Sequence, residues 1–267
     1  MDFYSEEFRK KEESDDLLFE AYDEPNEAEA IKLAKKALEL NPENIDAENF
    51  ITEHEKKTIK KLERYEATLN KEKARLDKEE YFSEENMGGF WRLIGTRPFM
   101  RTKRNYMLTF MSLGRYTNAI KQGEELLELN ESDNQGIRYM LMGLYTILER
   151  FEDAEKLYKK YSEGSAFMLL PLDIMYYKKG DYNKSKKILK KLKESNEFVI
   201  DFLTGARKLT KAKINKFEAE EAFDLRSEAE AYFVIKDYGY LLCYSNTFRV
   251  QSYSRQVLRA YLETGFF

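Results

Sequence analysis

The stretch "TRPFMRTKRN", residues 96–105, places Arg97, Arg101, Lys103 and Arg104 within ten positions of a chain whose formal net charge is −4. An arginine guanidinium presents paired N–H donors that match a carboxylate or a phosphate, so this spacing points to anion recognition. Arg97 and Arg101 stand four apart and share one helix face. The location is unusual, because a helix N-terminus already carries partial positive charge and favours acids. Either the arginines hold an acidic ligand, or they pair with glutamates of an adjacent helix, such as Glu124, Glu125 or Glu128. A second polar and aromatic stretch, "DNQGIRYM", follows at residues 133–140 and carries Asn134, Arg138 and Tyr139.

Other reactive chemistry is sparse. His54, the only histidine, lies in the charged run "ITEHEKK" and is expected on the solvated surface. Cys243, the only cysteine, lies in "YLLCYS" and is expected to be a buried structural residue. No Cys–His dyad, Ser–His triad or zinc set can be assembled from them. Aspartates and glutamates are plentiful, but no spacing singles out a catalytic pair. "SEENMGGFWRLIG" has Gly88 and Gly89 without a following Gly-Lys-Ser/Thr, so it is not a phosphate loop. It is expected to tuck Phe90 and Trp91 against the next helix pair. No catalytic residue, metal or cofactor is expected, with a carboxylate-based enzyme kept as an alternative.

The elements that position these residues are helical. Charged residues make up 35% and the hydrophobic set 42%, with only four prolines and twelve glycines in 267 residues. That balance suits long solvated helix faces and argues against a turn-dense sheet fold. Thr96 is expected as N-cap, with Pro98 in the first turn, so the helix carrying the cations starts there. Asp133 or Asn134 is expected to cap the next. The segments "GRYTNAIKQGEELLELN", "ERFEDAEKLYKKY" and "KGDYNKSKKILKKL" share one pattern: a polar turn, an aromatic (Tyr116, Phe151, Tyr182), then a small residue three on (Ala119, Ala154, Ser185). The small residues recur about 35 and then about 31 positions apart. "NEAEAIKLAKKALELNPENIDA" is an earlier copy with Ala30, Ala34 and Ala37 on one face and Pro42 just past the helix. Residues 43–82 are charged and contain no proline or glycine, and Ile59, Leu62, Tyr65, Leu69 and Leu76 form an amphipathic stripe. They are expected to be a second, overlong hairpin. Beyond about residue 194 the pattern fades into aromatic-rich terminal helices that would cover the end of an array. Gly265 is expected to end the last helix, with Phe266 folding back. A short hairpin within "YGYLLCYSNTFRVQ" is a minor alternative.

These repeats resemble the tetratricopeptide repeat family, over residues 11–42 and about 98–193. Met107 and Met142 stand where that family usually has glycine, and Glu131 near its usual proline. "FWRLIGTRPFMRTK" and "LNESDNQGIRYMLM" are similar to segments of an uncharacterised group of bacterial tetratricopeptide proteins, with Gly95 in place of an acidic residue. Some of that group carry a zinc module, for which this chain lacks the cysteines. The resemblance implies an all-α, right-handed superhelix of helical hairpins with a C-terminal helical cap. The expected organisation is 1–82, a first repeat and the long charged hairpin; 83–193, central repeats; and 194–267, capping helices. In the family the first helix of each pair lines a concave groove. Counting from Ala119 and Ala154 puts Arg101, Arg104 and Tyr139 there, with Arg97, Asn134 and Arg138 beside them and Phe167 at the matching place in the next repeat.

A groove running from positive to aromatic to apolar suits an extended peptide with an acidic group or a free C-terminal carboxylate. The expected function is therefore a non-catalytic protein- or peptide-binding scaffold. Nucleic acid is disfavoured because no domain-wide basic excess exists. An RNA-associated reading would rest on Lys184, Lys186, Lys187 and Lys190, and a self-associating adaptor on the 43–82 hairpin; homo-oligomerisation stays open. The acidic start "MDFYSEEFRKKEESDD" does not read as a signal peptide, and "AFMLLPLDIMYY", with Pro171 and Asp173, is too short to span a membrane. A cytoplasmic, soluble protein is expected.

Overall fold

The computed structural model describes residues 5–220 and 222–244, with side chains through Leu241. The described residues are all-α, and the only β feature is an isolated backbone bridge between Gly89 and Asn130. Two compact units are present, Met1–Ile137 and a second that begins at Arg138. The division falls within the stretch expected to hold the central repeats.

The first unit holds α1 (Glu6–Asp23), α2 (Glu27–Leu40), α3 (Ile45–Glu53), α4 (Thr58–Lys78), α5 (Arg97–Ser112) and α6 (Tyr116–Leu129). Asn26 caps α2 through bonds from the Ala28 and Glu29 amides, and Asn44 caps α3 through the Ala47 amide. The alanine face of α2 does what small residues are needed for. Ala30, Ala34 and Ala37 are buried to 2% exposure or less, and α1 comes close enough for the Ser14 hydroxyl to donate to the Ala37 carbonyl at 2.8 Å. Residues 43–82 form a helix pair, α3 and α4, joined by an Arg64–Glu48 ion pair of 2.7 Å. Tyr65, Leu69 and Leu76 of the expected stripe are buried, while Ile59 at its start is exposed.

The connection between α4 and α5 is a packed structure. Two short 3-10 turns, Phe90–Arg92 and Ile94–Thr96, seat Phe90 at 0% exposure against Phe82, ring centroids 5.0 Å apart. Trp91 is only half-buried. Thr96 does stand at the N-cap position of α5, but its hydroxyl makes no cap bond. It turns back to the carbonyls of Phe90 and Leu93, because closing the turns demands a donor there.

The second unit holds α7 (Ile137–Ile147), α8 (Phe151–Tyr161), α9 (Ala166–Lys178), α10 (Tyr182–Ser195), α11 (Glu197–Thr204), α12 (Lys211–Ala219) and α13 (Glu228–Tyr244). Asp173 and Ser185 are both buried, and the Ser185 hydroxyl donates to the Asp173 carboxylate at 2.6 Å. The small residue at 185 is thus polar for a reason. Gly143 permits a close approach, since a Cβ there would lie 2.0 Å from the Tyr240 hydroxyl. The sequence pattern did not reveal α12, which has a single buried residue, Phe217, and so almost no apolar period. The final helix, Gly265, Phe266 and the side chain of Cys243 lie outside the described residues, as does most of the alternative hairpin.

Three hairpin turns repeat one geometry. Gly114, Glu149 and Gly180 take φ of 68°, 58° and 82°, each two residues before the aromatic that begins the next helix. The following amide reaches back five residues in each: Arg115 to Phe110 at 2.9 Å, Arg150 to Tyr145 at 2.8 Å, Asp181 to Tyr176 at 2.9 Å. This is a Schellman stop, which needs a left-handed residue. Ala119, Ala154 and Ser185 are each at 0% exposure. A Cβ on Gly114 or Gly180 would meet nothing within 4 Å, so glycine is there for its φ alone. Glu149 bears the left-handed strain that glycine avoids, about 1–2 kcal/mol. Glu149→Gly should therefore raise stability by up to about 1 kcal/mol after loss of its pair with the half-buried Lys178, which keeps its bond to the Thr146 carbonyl. Gly180→Ala should lower it by about 1 kcal/mol. Urea midpoints of the two variants check this, and a destabilised Glu149→Gly would show that the Lys178 pair outweighs the strain.

Candidate functional site

Arg97, Arg101 and Lys103 are held by groups of their own unit. Arg97 Nε donates to the Trp91 carbonyl at 2.9 Å, and its guanidinium lies 5.7 Å from the Trp91 ring centroid. Arg101 grips Asp46 of α3 with Nε at 2.8 Å and Nη2 on the second carboxylate oxygen. Lys103 is buried and reaches Gln122 at 2.7 Å as well as Glu125, and burial lowers its pKa below the ordinary lysine value. Arg104 is half-buried and engaged as well. The pairing with Glu125 follows the expectation, but Arg101 chooses the preceding hairpin. Two of the four positive charges at this helix start are offset by acids, Arg101 by Asp46 of α3 and Lys103 by Glu125 of α6.

Asn134 is exposed, and Asp133, not Asn134, caps α7: its carboxylate accepts from the Ile137 amide at 2.7 Å. Gly136 supplies a φ of 69° for the turn. In the second unit Arg138 pairs with Glu163 at 2.8 Å, donates to the Tyr139 hydroxyl at 2.6 Å and stacks on Tyr139 and Tyr161. Burial, then the bond to Glu163, pushes the Tyr139 hydroxyl up to about 12. Phe167 packs on Tyr139 at 5.3 Å and against Phe223 and Tyr238. Arg138, Tyr139 and Phe167 thus form one aromatic cluster inside that unit.

His54 is not a solvated surface residue. It is half-buried, its ring 4.4 Å from Phe50, and Nδ1–H donates to the Phe50 carbonyl at 2.8 Å, closing the end of α3.

A further face of the first unit carries exposed aromatics. On α1, Phe8, Asp15, Phe19 and Tyr22 follow at spacings of seven, four and three, one side of a helix. Phe8, Phe19 and Tyr22 are 41%, 68% and 57% exposed. Tyr22 meets Phe50 of α3 edge-on at 5.1 Å. Asn44 donates to Asp15 at 3.0 Å. Burial, then the Asp46 carboxylate, raises the Asp15 pKa. Burial, then Asp46 and Glu53, raises that of Tyr22. On α5, Asn105 donates to Glu53, and the two border a cavity of about 300 Å³ whose lining also includes Thr58, Lys61, Tyr65 and Ser112.

No protein-family model matches the chain, and no curated protein matches it. Function must be argued from geometry. Sequence reasoning passed over Phe19, Tyr22, Asp46 and Glu53. The signal for the first two was present: aromatics on α1 to one side of its packed stripe of Ser14, Leu18 and Ala21. Among the described residues no group of acids, histidine and cysteine could hold a metal ion, and no helix is long and apolar enough to cross a membrane.

Proposed function

We propose that the chain is a non-catalytic scaffold of tetratricopeptide type that binds a protein or peptide. The observation that carries the reading is the aromatic first-helix face of the first unit, with Phe19 and Tyr22 left open to solvent and Tyr22 edge-on to Phe50 of α3. Exposed aromatics grouped on one face supply rigid anchors for a partner. Three hairpin turns of one geometry, each followed by a buried small residue, support the repeat type. The resemblance noted above adds the superhelix and its groove as part of the same proposal. Arg101, Arg97 and Arg138 support the scaffold as internal clasps more than as free ligand-binding groups.

The test is selection of a displayed library of random dodecapeptides on the immobilised full-length chain. Enriched peptides that bind in solution with saturable isotherms are expected. A second reading, RNA association, is favoured by one observation: Lys186, Lys187 and Lys191 are exposed on α10. A chain that enriches no peptide, yet binds single-stranded RNA with a steep salt dependence lost in Lys186→Ala with Lys187→Ala, would overturn the scaffold.

A further inference from the structure

The charge of the partner can be read from α1. Its first turns balance their charge, with Lys10 on Glu6 at 2.7 Å and Lys11 near Glu7. From Glu12 onward the helix carries acids and no base, and its last turn has no cation. Among the described residues, Glu12, Glu13, Asp16, Glu20 and Asp23 form no ion pair. Acids at a helix C-terminus oppose the macrodipole, so Glu20 and Asp23 sit where cations are favoured. Across the same face stand Asp46 and Glu53, and Arg101 neutralises only Asp46. Phe19 and Tyr22 lie in the middle of this negative field with their rings open. An exposed aromatic ring attracts a cation through its face, and the stem of a lysine or arginine covers apolar surface while its head stays charged.

We infer that this face recognises a basic segment of a partner protein. Its lysine or arginine heads lie against Asp15, Asp23 and Glu53, and their stems cross Phe19 and Tyr22. The inference rests on the scaffold reading and names the chemistry of its ligand. It reverses the charge that the arginine cluster suggested, because Asp46, the carboxylate that holds Arg101, belongs to the same surface.

The dodecapeptide selection also tests this, read by composition rather than by enrichment alone. Peptides rich in lysine or arginine with interspersed apolar residues are expected. The tightest of them should bind the full-length chain at least about tenfold more weakly after Phe19→Ser with Tyr22→Ser, and again after Asp15→Asn with Asp23→Asn. All four positions are exposed, so circular dichroism should show unchanged helicity. The affinity should also fall as salt rises. Enrichment of acidic peptides whose binding is lost in Arg101→Ala would overturn the inference and leave the scaffold standing. Enrichment of no peptide would remove both. A dimer in sedimentation that dissociates in Phe19→Ser with Tyr22→Ser would overturn it too, by making a second copy the occupant.

Discussion

Phe90→Ala should lower the stability of the first unit by about 3–5 kcal/mol, the range for truncating a fully buried aromatic. Phe90 is at 0% exposure, and its ring packs on Phe82, which in turn meets Phe99 of α5 edge-on at 6.0 Å. Its carbonyl accepts from the buried Thr96 hydroxyl, so the residue also closes the turn that delivers α5. The neighbouring backbone is tied down, with the Glu131 amide donating to the Gly88 carbonyl at 3.0 Å. The site cannot collapse around the missing ring without moving those bonds, so the cavity term should be large. Trp91 is the only tryptophan and stands next to Phe90, so its fluorescence during urea unfolding reports this unit directly. Ile94→Ala in the same connection is the control. Ile94 is 76% exposed, and its loss should change stability by no more than about 0.5 kcal/mol. Equal effects from the two would mean that the connection is an unpacked loop.

Tyr238→Phe should cost the second unit about 1–3 kcal/mol, and the cost should shrink below about 1 kcal/mol in a Pro171→Ala background. The reason is a gap in α9. The Phe167 carbonyl would accept from the amide of residue 171, but Pro171 has none. The Tyr238 hydroxyl, from α13, lies 2.8 Å from that carbonyl and 2.8 Å from the carbonyl of Tyr139. A hydroxyl has one hydrogen to give. Tyr139 can accept from the amide four residues on, at Gly143, so Phe167 is the group in need. Tyr238 is 2% exposed, and water cannot readily replace it. Restoring an amide at 171 makes the hydroxyl redundant, which is why the two substitutions should couple. Far-ultraviolet circular dichroism during urea unfolding of the four proteins measures the cycle. Independent, additive effects would show that the hydroxyl serves some other group.

The helices and their stops were written locally. Tyr116, Phe151 and Tyr182 begin α6, α8 and α10, as the polar turn followed by an aromatic implied. A Schellman stop depends on about six consecutive residues, so a short pattern suffices to place it. Ala30, Ala34, Ala37, Ala119 and Ala154 could be recognised as buried because small residues at helical spacing have little other use. Thr96 shows where local rules stop. It holds the cap position, yet its hydroxyl answers the carbonyls of Phe90 and Leu93, a demand set by the turns before it. His54 shows the same, since a charged neighbourhood in sequence did not forecast stacking on Phe50 one turn earlier.

The cation cluster divides the two kinds of information most clearly. That Arg97, Arg101, Lys103 and Arg104 share one helix follows from their order in the chain, because helical neighbours are separated by three or four residues and nothing distant enters. Which groups they hold does not. Asp46 lies 55 residues before Arg101, and Glu125 lies 22 after Lys103. Such partners are chosen by how the hairpins pack, and several acids in the chain were equally eligible until packing brought one carboxylate within bonding distance. The same packing left Phe19 and Tyr22 uncovered on a helix whose second half carries acids and no base. A linear order of residues specifies which faces exist; only contact between helices removes some of them from water and leaves the others to meet a ligand.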